Sequence, residues 1–296
     1  MPYRHYGNIG DIWKHLPLCT ILEIERPRTY IETNSAYATY ALEATPRQQY
    51  GVIHTYRHAA RSGVVAGSRY MAILREQNHD APEPHTYLGS PALAMTVLKE
   101  TAARFVFCDI EAEALENVAA YAASLALEGR VTTVLGDSIS GTYRMLDTLT
   151  SDDFIHIDPY TIFEPNAEGL TYFDTFLEAT RRGIKSMLWY GYFTGDEQRE
   201  METRFQAEMV SASTVDGCHV EGVEIALDLI QPDTIVVNPG IVGCCVLTSN
   251  LSRASRDAIS RLAEGLVAIY DDSTVFGTHS GRLQTRSVVL DGSSMR

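Results

Sequence analysis

Apolar and polar positions along the chain fall into short runs that alternate with longer mixed stretches, the pattern of a layered α/β protein. Tyr30-Ile31, Arg104–Ile110, Val131–Leu135 and Ile155-His156-Ile157 read as strands, each ending at a polar or acidic residue. Between them lie stretches with helical spacing. An apolar run from Leu16 to Ile24 continues a helix that carries Lys14 and His15, with Asp11 as its expected N-cap. Ser90 is the expected cap, and Pro91 the first residue, of a helix through Leu98. Further helices are expected over Glu111–Leu127, up to Arg182, and over Arg253–Tyr270. Strands near 184–190, 220–229 and 244–247 would complete a mixed sheet, and the chain from Gly277 reads as a polar tail.

Two segments interrupt this rhythm. Small residues after Glu32 (Ser35, Ala36, Ala38) predict a tight turn into a helix, where a backbone can approach a ligand closely. From Thr45 to Thr86 the chain carries Arg47, Arg57, Arg61, Arg69 and Arg75 against Glu76, Asp80 and Glu83, and closes on Ala81-Pro82-Glu83-Pro84. That segment predicts a helical insertion, 45–86, within a main domain made of 1–44 and 87–296. An irregular stretch from Thr161 to Phe173 reads as a lid.

In α/β proteins ligands bind beyond the carboxyl ends of the strands. Asp109, Asp137 with Ser138, and Asp158 all occupy such ends. A carboxylate there can accept hydrogen bonds from ribose hydroxyls or from an adenine amine. Asp158-Pro159-Tyr160, closing an apolar run, reads as the lip of an active site. Trp189, Tyr190, Tyr192 and Phe193 are aromatics for the core or for the wall of a pocket.

Charge narrows the partners. With 24 Lys and Arg against 38 Asp and Glu, the net charge of −14 opposes attraction to nucleic acid. Five cysteines without CxxC spacing argue against a zinc knuckle or a disulfide scaffold, no metal is expected, and no apolar run approaches the roughly 18 residues of a membrane span. The N-terminus lacks the apolar core of a signal peptide, so a cytoplasmic chain is expected.

Four islands carry a family resemblance: Tyr3-Arg4-His5…Gly7-Asn8…Asp11…Lys14-His15, then Glu32-Thr33-Asn34-Ser35-Ala36-Tyr37-Ala38, Leu88-Gly89-Ser90-Pro91, and Asp158-Pro159-Tyr160. In order and spacing they resemble the RlmJ family of class I methyltransferases, which use S-adenosylmethionine to methylate an adenine amine of ribosomal RNA. The resemblance implies a Rossmann-like fold with a mostly parallel seven-stranded sheet. It puts Lys14, His15, Asn34, Ala36, Ser90, Asp109, Asp137, Ser138 and Asp158 around S-adenosylmethionine, and Asp158 with Tyr160 at the reacting amine. Tyr3, Tyr37 and Tyr190 would face the substrate.

This chain departs from the family pattern where function is decided. Alanines replace both motif glycines, Asn34 stands for a histidine, and one proline is missing between Asp158 and the aromatic. Tyr37 or Tyr40 could face the sulfonium, a cation–π contact worth about 0.5–2 kcal/mol. Moving Tyr160 one place closer to Asp158 turns its ring away from a flat base. The expected activity is therefore methyl transfer to the amine of a small molecule or amino acid, not to RNA. Two other outcomes fit the same residues. One is intramolecular cyclisation of the cofactor to azetidine-2-carboxylic acid and methylthioadenosine. The other is an adenine-methylating or catalytically silent RNA-binding relative.

Overall fold

The computed structural model describes residues 6–212, 219–228, 241–276 and 279–291. Its first helix, α1 (Ile9–Glu25), is capped by Asn8, whose side chain accepts from the Asp11 backbone N–H at 3.1 Å. Asn8, with extended backbone, occupies the cap position expected for Asp11 and leaves the Asp11 carboxylate free to meet Lys14 one turn on. Helix α1 is buried on most of its surface, so even Lys14 and His15 lie inside the protein.

Strand β1 (Thr29–Glu32) leads into a loop, not the expected helix. The Thr33 and Ser35 backbone N–H groups extend the parallel pairing to the carbonyls of His156 and Cys108, and Ala36 then turns the chain in the left-handed region at φ 51°. Those bonds keep the backbone extended where a helix would need it to coil. The chain proceeds to β2 (Thr39–Ala41), which pairs antiparallel with β3 (Thr86–Leu88). These two strands form the neck of segment 45–86. That segment contains short helical turns from Pro46 to Ala66 and the helix α2 (Arg69–Gln77). Tyr50 and Tyr270 seat it on the main body: Tyr270 donates to the Tyr50 carbonyl at 2.6 Å, and Tyr50 to that of Gly281 at 2.7 Å.

Helix α3 (Ser90–Leu98) begins one residue earlier than expected, with Gly89 at the cap and Ser90 inside. A Cβ at position 89 would lie 2.2 Å from the Tyr37 carbonyl oxygen, so the close approach of the two loops requires glycine. Alternating elements follow: β4 (Arg104–Asp109), α4 (Ala112–Ser124), β5 (Val131–Leu135), α5 (Ser138–Met145), β6 (Phe154–Ile157), α6 (Tyr172–Arg181) and β7 (Lys185–Tyr192). The chain ends with α7 (Gly195–Ala212), β8 (His219–Leu227), β9 (Gly243–Ser249), α8 (Arg253–Ile269), the two-residue strands β10 (Val275–Phe276) and β11 (His279–Ser280), and β12 (Leu283–Asp291).

The main sheet has the order β12-β8-β9-β7-β6-β1-β4-β5. Strands β5, β4, β1, β6 and β7 are parallel neighbours, β9 runs against β7 and β8, and β12 runs against β8. The sheet is mostly parallel, as expected, but has eight strands. The extra one, β12, lies where a polar tail was expected. Leu283, Val288 and Leu290 of β12 are buried, and Arg286 reaches the buried Glu224 of β8 at 3.0 Å. An arginine with that role reads in the sequence as a solvated charge.

Helix α8 and segment 45–86 meet at His54. Its ring lies 4.5 Å from that of Tyr270, and its Nε2 is 3.3 Å from the Ile269 carbonyl. Burial pushes the imidazole down to about 4, against the contrary pull of the Ile269 carbonyl. An unfolded histidine titrates near 6.5, so between those values the unfolded chain binds the extra proton. Stability is expected to fall as pH drops from 7 to 5, and His54→Gln to flatten that fall, as read by urea denaturation at each pH.

Candidate active site

The strand order reverses beside β1, with β4 on one side and β6 on the other, and the crevice opens at their carboxyl ends. Three separate groupings of side chains surround it.

The first joins α1 to the end of β6. Lys14 Nζ lies 2.5 Å from Asp158 Oδ2 and 3.1 Å from Asp11 Oδ1, with the Trp189 ring centroid 5.5 Å away. All three charged side chains are largely buried. Burial opposes the Lys14 charge, but Asp158 and Asp11 together outweigh it and hold the ammonium well above its ordinary range. Asp11 is pushed the other way: burial, reinforced by Asp158, raises it despite Lys14. One cation thus serves two carboxylates.

The second grouping lines the loops after β1 and β5. Asn34 Nδ2 donates to the Tyr172 hydroxyl at 2.9 Å, and Ser138 Oγ lies 2.8 Å from the same hydroxyl. Asp109 holds the β1 loop, accepting from the Ala36 N–H at 2.8 Å and from Glu111 N at 2.9 Å. Asp137 caps α5, accepting from Ile139 N and Ser140 N, and also receives Asn166 Nδ2 from the lid at 2.7 Å. Burial opposes its charge, but the hydrogen bonds from Ser140, Asn166 and Ile139 prevail and keep the carboxyl below its usual range. Ile110 and Leu135 stand at the neighbouring ends of β4 and β5 with 72% and 61% exposure. These two apolar side chains flank the acids.

The third lies beneath the crevice. Glu32 is fully buried and accepts from the Tyr30 hydroxyl at 2.9 Å and from the Ser90 hydroxyl, with His156 Nδ1 3.3 Å away. His15 Nδ1 lies 2.6 Å from the Tyr87 hydroxyl. Burial, with Lys14 and His156 nearby, drives His15 well below its ordinary value, so the ring is neutral at pH 7.

Several expected site residues are therefore placed differently. Ser90 spends its hydroxyl on Glu32 and supports the floor of the crevice. Tyr190 faces α7, 4.9 Å from Phe205, at 2% exposure, because alternation along β7 puts it on the sheet face away from Lys14 and Trp189; it does not face a substrate. Tyr160 is 99% exposed and points into solvent. Tyr37 lies at the rim, edge-on to Tyr40 at 6.0 Å, and Tyr40 stacks on Tyr6 at 4.4 Å. Tyr3 lies outside the described residues. Asp11, Ile110, Asn166 and Tyr172 are further members of the site. Exposed apolar residues beside strand-end acids could have flagged Ile110, whereas nothing local marks Tyr172, which meets Ser138 and Asn34 from far along the chain.

The central β1, flanked by β4-β5 and by β6-β7 with an antiparallel β9, defines the class I methyltransferase fold, Rossmann-like with a mostly parallel sheet. A solved structure shares it over nearly the whole chain: protein LPL1258 from Legionella pneumophila, DUF519, with a TM-score of 0.71 at 20% identity, covering 98% of this chain and 99% of that one. At that identity the likeness is one of fold. Two others are looser. The O-methyltransferase TomG from Streptomyces achromogenes, solved with SAM, has a TM-score of 0.41 at 14% identity over 81% of this chain and 80% of that one. An O-methyltransferase from Bacillus cereus, solved with SAH, has 0.42 at 12% over 80% of each chain. No protein-family model and no curated protein matches the chain. Among the described residues, no three His, Cys, Asp or Glu side chains are grouped to hold a metal, and no helix is long and apolar enough to cross a membrane.

Removing the shared cation would leave Asp11 and Asp158 facing each other. Lys14→Met is expected to cost about 3 kcal/mol in urea denaturation at pH 7, as for a buried pair stripped of one partner. Because a carboxyl raised in the folded state binds its proton more tightly there, the variant should regain stability relative to wild type as pH falls toward 5.

Proposed function

We propose that the chain is an S-adenosylmethionine-dependent methyltransferase acting on the amine of a small molecule or amino acid. The observation that carries this reading is the Lys14–Asp158 pair, seated where β6 ends beside the β1 crevice. Lys14 occupies Oδ2 of Asp158, and Oδ1 is the oxygen through which an acceptor N–H would be held.

The donor set around the crevice fits the cofactor in kind. Ile110 and Leu135 would offer apolar faces to an adenine, Asp137 and Ser138 polar groups at its edge, and Asn34 would meet the methionine end. Asp109 would act on the ribose from beneath Ala36, whose backbone it already holds. When bound, S-adenosylmethionine supplies an electrophilic methyl group. Asp158 orients the acceptor lone pair, and placement alone can lower such a barrier by roughly 7–11 kcal/mol. A neutral amine needs no base beforehand, since the methylated amine can lose its proton afterwards; an amine that arrives as an ammonium must first release one proton to solvent to expose the lone pair.

Two features favour a small acceptor over a nucleic acid. The arginines of segment 45–86 are largely spent within the protein: Arg57 pairs with Glu83, Arg61 with Asp271 at 3.2 Å, and Arg75 donates to the Ala66 carbonyl at 3.0 Å. The second is the net charge of −14, which opposes the approach of a polyanion.

The test is mass spectrometry of purified protein incubated with S-adenosylmethionine, alone and with a panel of amines and amino acids. Release of S-adenosylhomocysteine with a methylated amine is expected. Asp158→Asn should lower turnover by about 100-fold, the scale of a misplaced reactant, while S-adenosylhomocysteine still binds. Methylthioadenosine formed from the cofactor alone would instead assign cyclisation, and absence of cofactor binding would overturn the reading.

A further inference from the structure

Tyr172 occupies a place that none of the strand-end acids fills. It opens α6, which begins within the last residues of the stretch expected as a lid, and its backbone is fixed by a capping box in which Thr171 and Asp174 satisfy each other's N–H groups at 2.8 and 3.0 Å. Its hydroxyl then meets side chains from two loops distant in sequence. Asn34 Nδ2, after β1, donates to it at 2.9 Å, and Ser138 Oγ, after β5, lies at 2.8 Å. The other end of the Asn34 amide is also committed, since Oδ1 accepts from Thr33 Oγ1 at 2.7 Å. Neither end of that amide is left to rotate. Burial raises the Tyr172 phenol against the pull of Ser138 and Asn34, so it keeps its proton.

We infer that Tyr172 is the positioning residue of the cofactor site, a single hydroxyl that sets the Asn34 amide and the Ser138 hydroxyl side by side for the same ligand. The inference rests on the cofactor reading above. It assigns Tyr172 no step in the chemistry, because it acts through its two partners. Its ring packs against the core while its hydroxyl reaches the loops, so the body of the side chain anchors the group at its tip. The lid contributes a second tie of the same kind, in which Asn166 reaches Asp137 at 2.7 Å and Ser140 Oγ at 2.8 Å. Between them the two residues hold the β5 loop from the lid side.

The experiment is calorimetric titration of the full chain with S-adenosylhomocysteine, for wild type, Tyr172→Phe, Ser138→Ala, and Tyr172→Phe placed in an Asn34→Ala/Ser138→Ala background. Tyr172→Phe keeps the packed ring and is expected to weaken binding about 5- to 10-fold, the scale of one or two lost hydrogen bonds. Its melting temperature should stay near wild type, and its KM for S-adenosylmethionine should rise in step with the weakened affinity. In the background lacking both partners the same substitution should add little. Wild-type affinity in Tyr172→Phe, or an equal loss in that background, would overturn the inference. Ser138→Ala provides the check from the partner's side should Tyr172→Phe fold poorly: wild-type affinity there also overturns it. If wild type itself gives no heat, the cofactor reading fails, and this inference with it.

Discussion

The arrangement depends on one buried cation. Lys14 sits between Asp11 on its own helix and Asp158 at the end of β6, and the three groups are tolerable inside the protein only together. Two carboxylates without the ammonium would repel, and an ammonium without them would lose its hydration for nothing. That mutual requirement fixes the rotation of α1 over the sheet. It brings His15 inward beside Tyr87, and puts the one acid that follows β6 at the mouth of the crevice rather than in solvent.

Beneath that pair lies a second buried carboxylate with a different solution. Among the described residues Glu32 pairs with no lysine or arginine; it is satisfied by Tyr30, Ser90 and the neighbouring His156. Hydrogen bonds of this sort stiffen the floor of the crevice without adding a second cation. Ser90 therefore matters to the site as a support. Its displacement from the cap follows from Gly89, whose missing side chain lets α3 start hard against the Tyr37 carbonyl.

Strands β1, β4 and β6 were legible because each is a short apolar run that meets an acid at its end, and Val131–Leu135 has the boundaries expected of it. Asp109, Asp137 and Asp158 were legible for the same reason. What escaped were elements whose apolar content is sparse or whose charges are internally paired. Helix α7 buries Phe205 and Met209 within a largely acidic sequence, and β12 hides its role behind Arg286, which pairs with Glu202 and Glu224. The loop after β1 was misjudged for another reason. Small residues signal close approach equally well in a helix start and in an extended loop, and only the bonds to Cys108 and His156 decide between them.

A net charge of −14 and a segment rich in arginine point to opposite partners, and two of those arginines are paired with acids. Arg57 and Arg61 pair with Glu83 and with Asp271 in the turn after α8, so their charges are partly balanced before any ligand arrives, while Arg75 is tied to the Ala66 carbonyl. A polyanion would have to displace Glu83 and Asp271 to reach them, and would meet the unbalanced acids of the remaining surface while doing so. A cationic amine, the acceptor proposed above, would meet the reverse: the field of the whole chain would draw it in, toward the strand end where Asp158 stands. The same field favours the cofactor, whose sulfonium carries positive charge. The acidic balance is thus consistent with both ligands of the proposed reaction, whereas a nucleic acid would have to work against it.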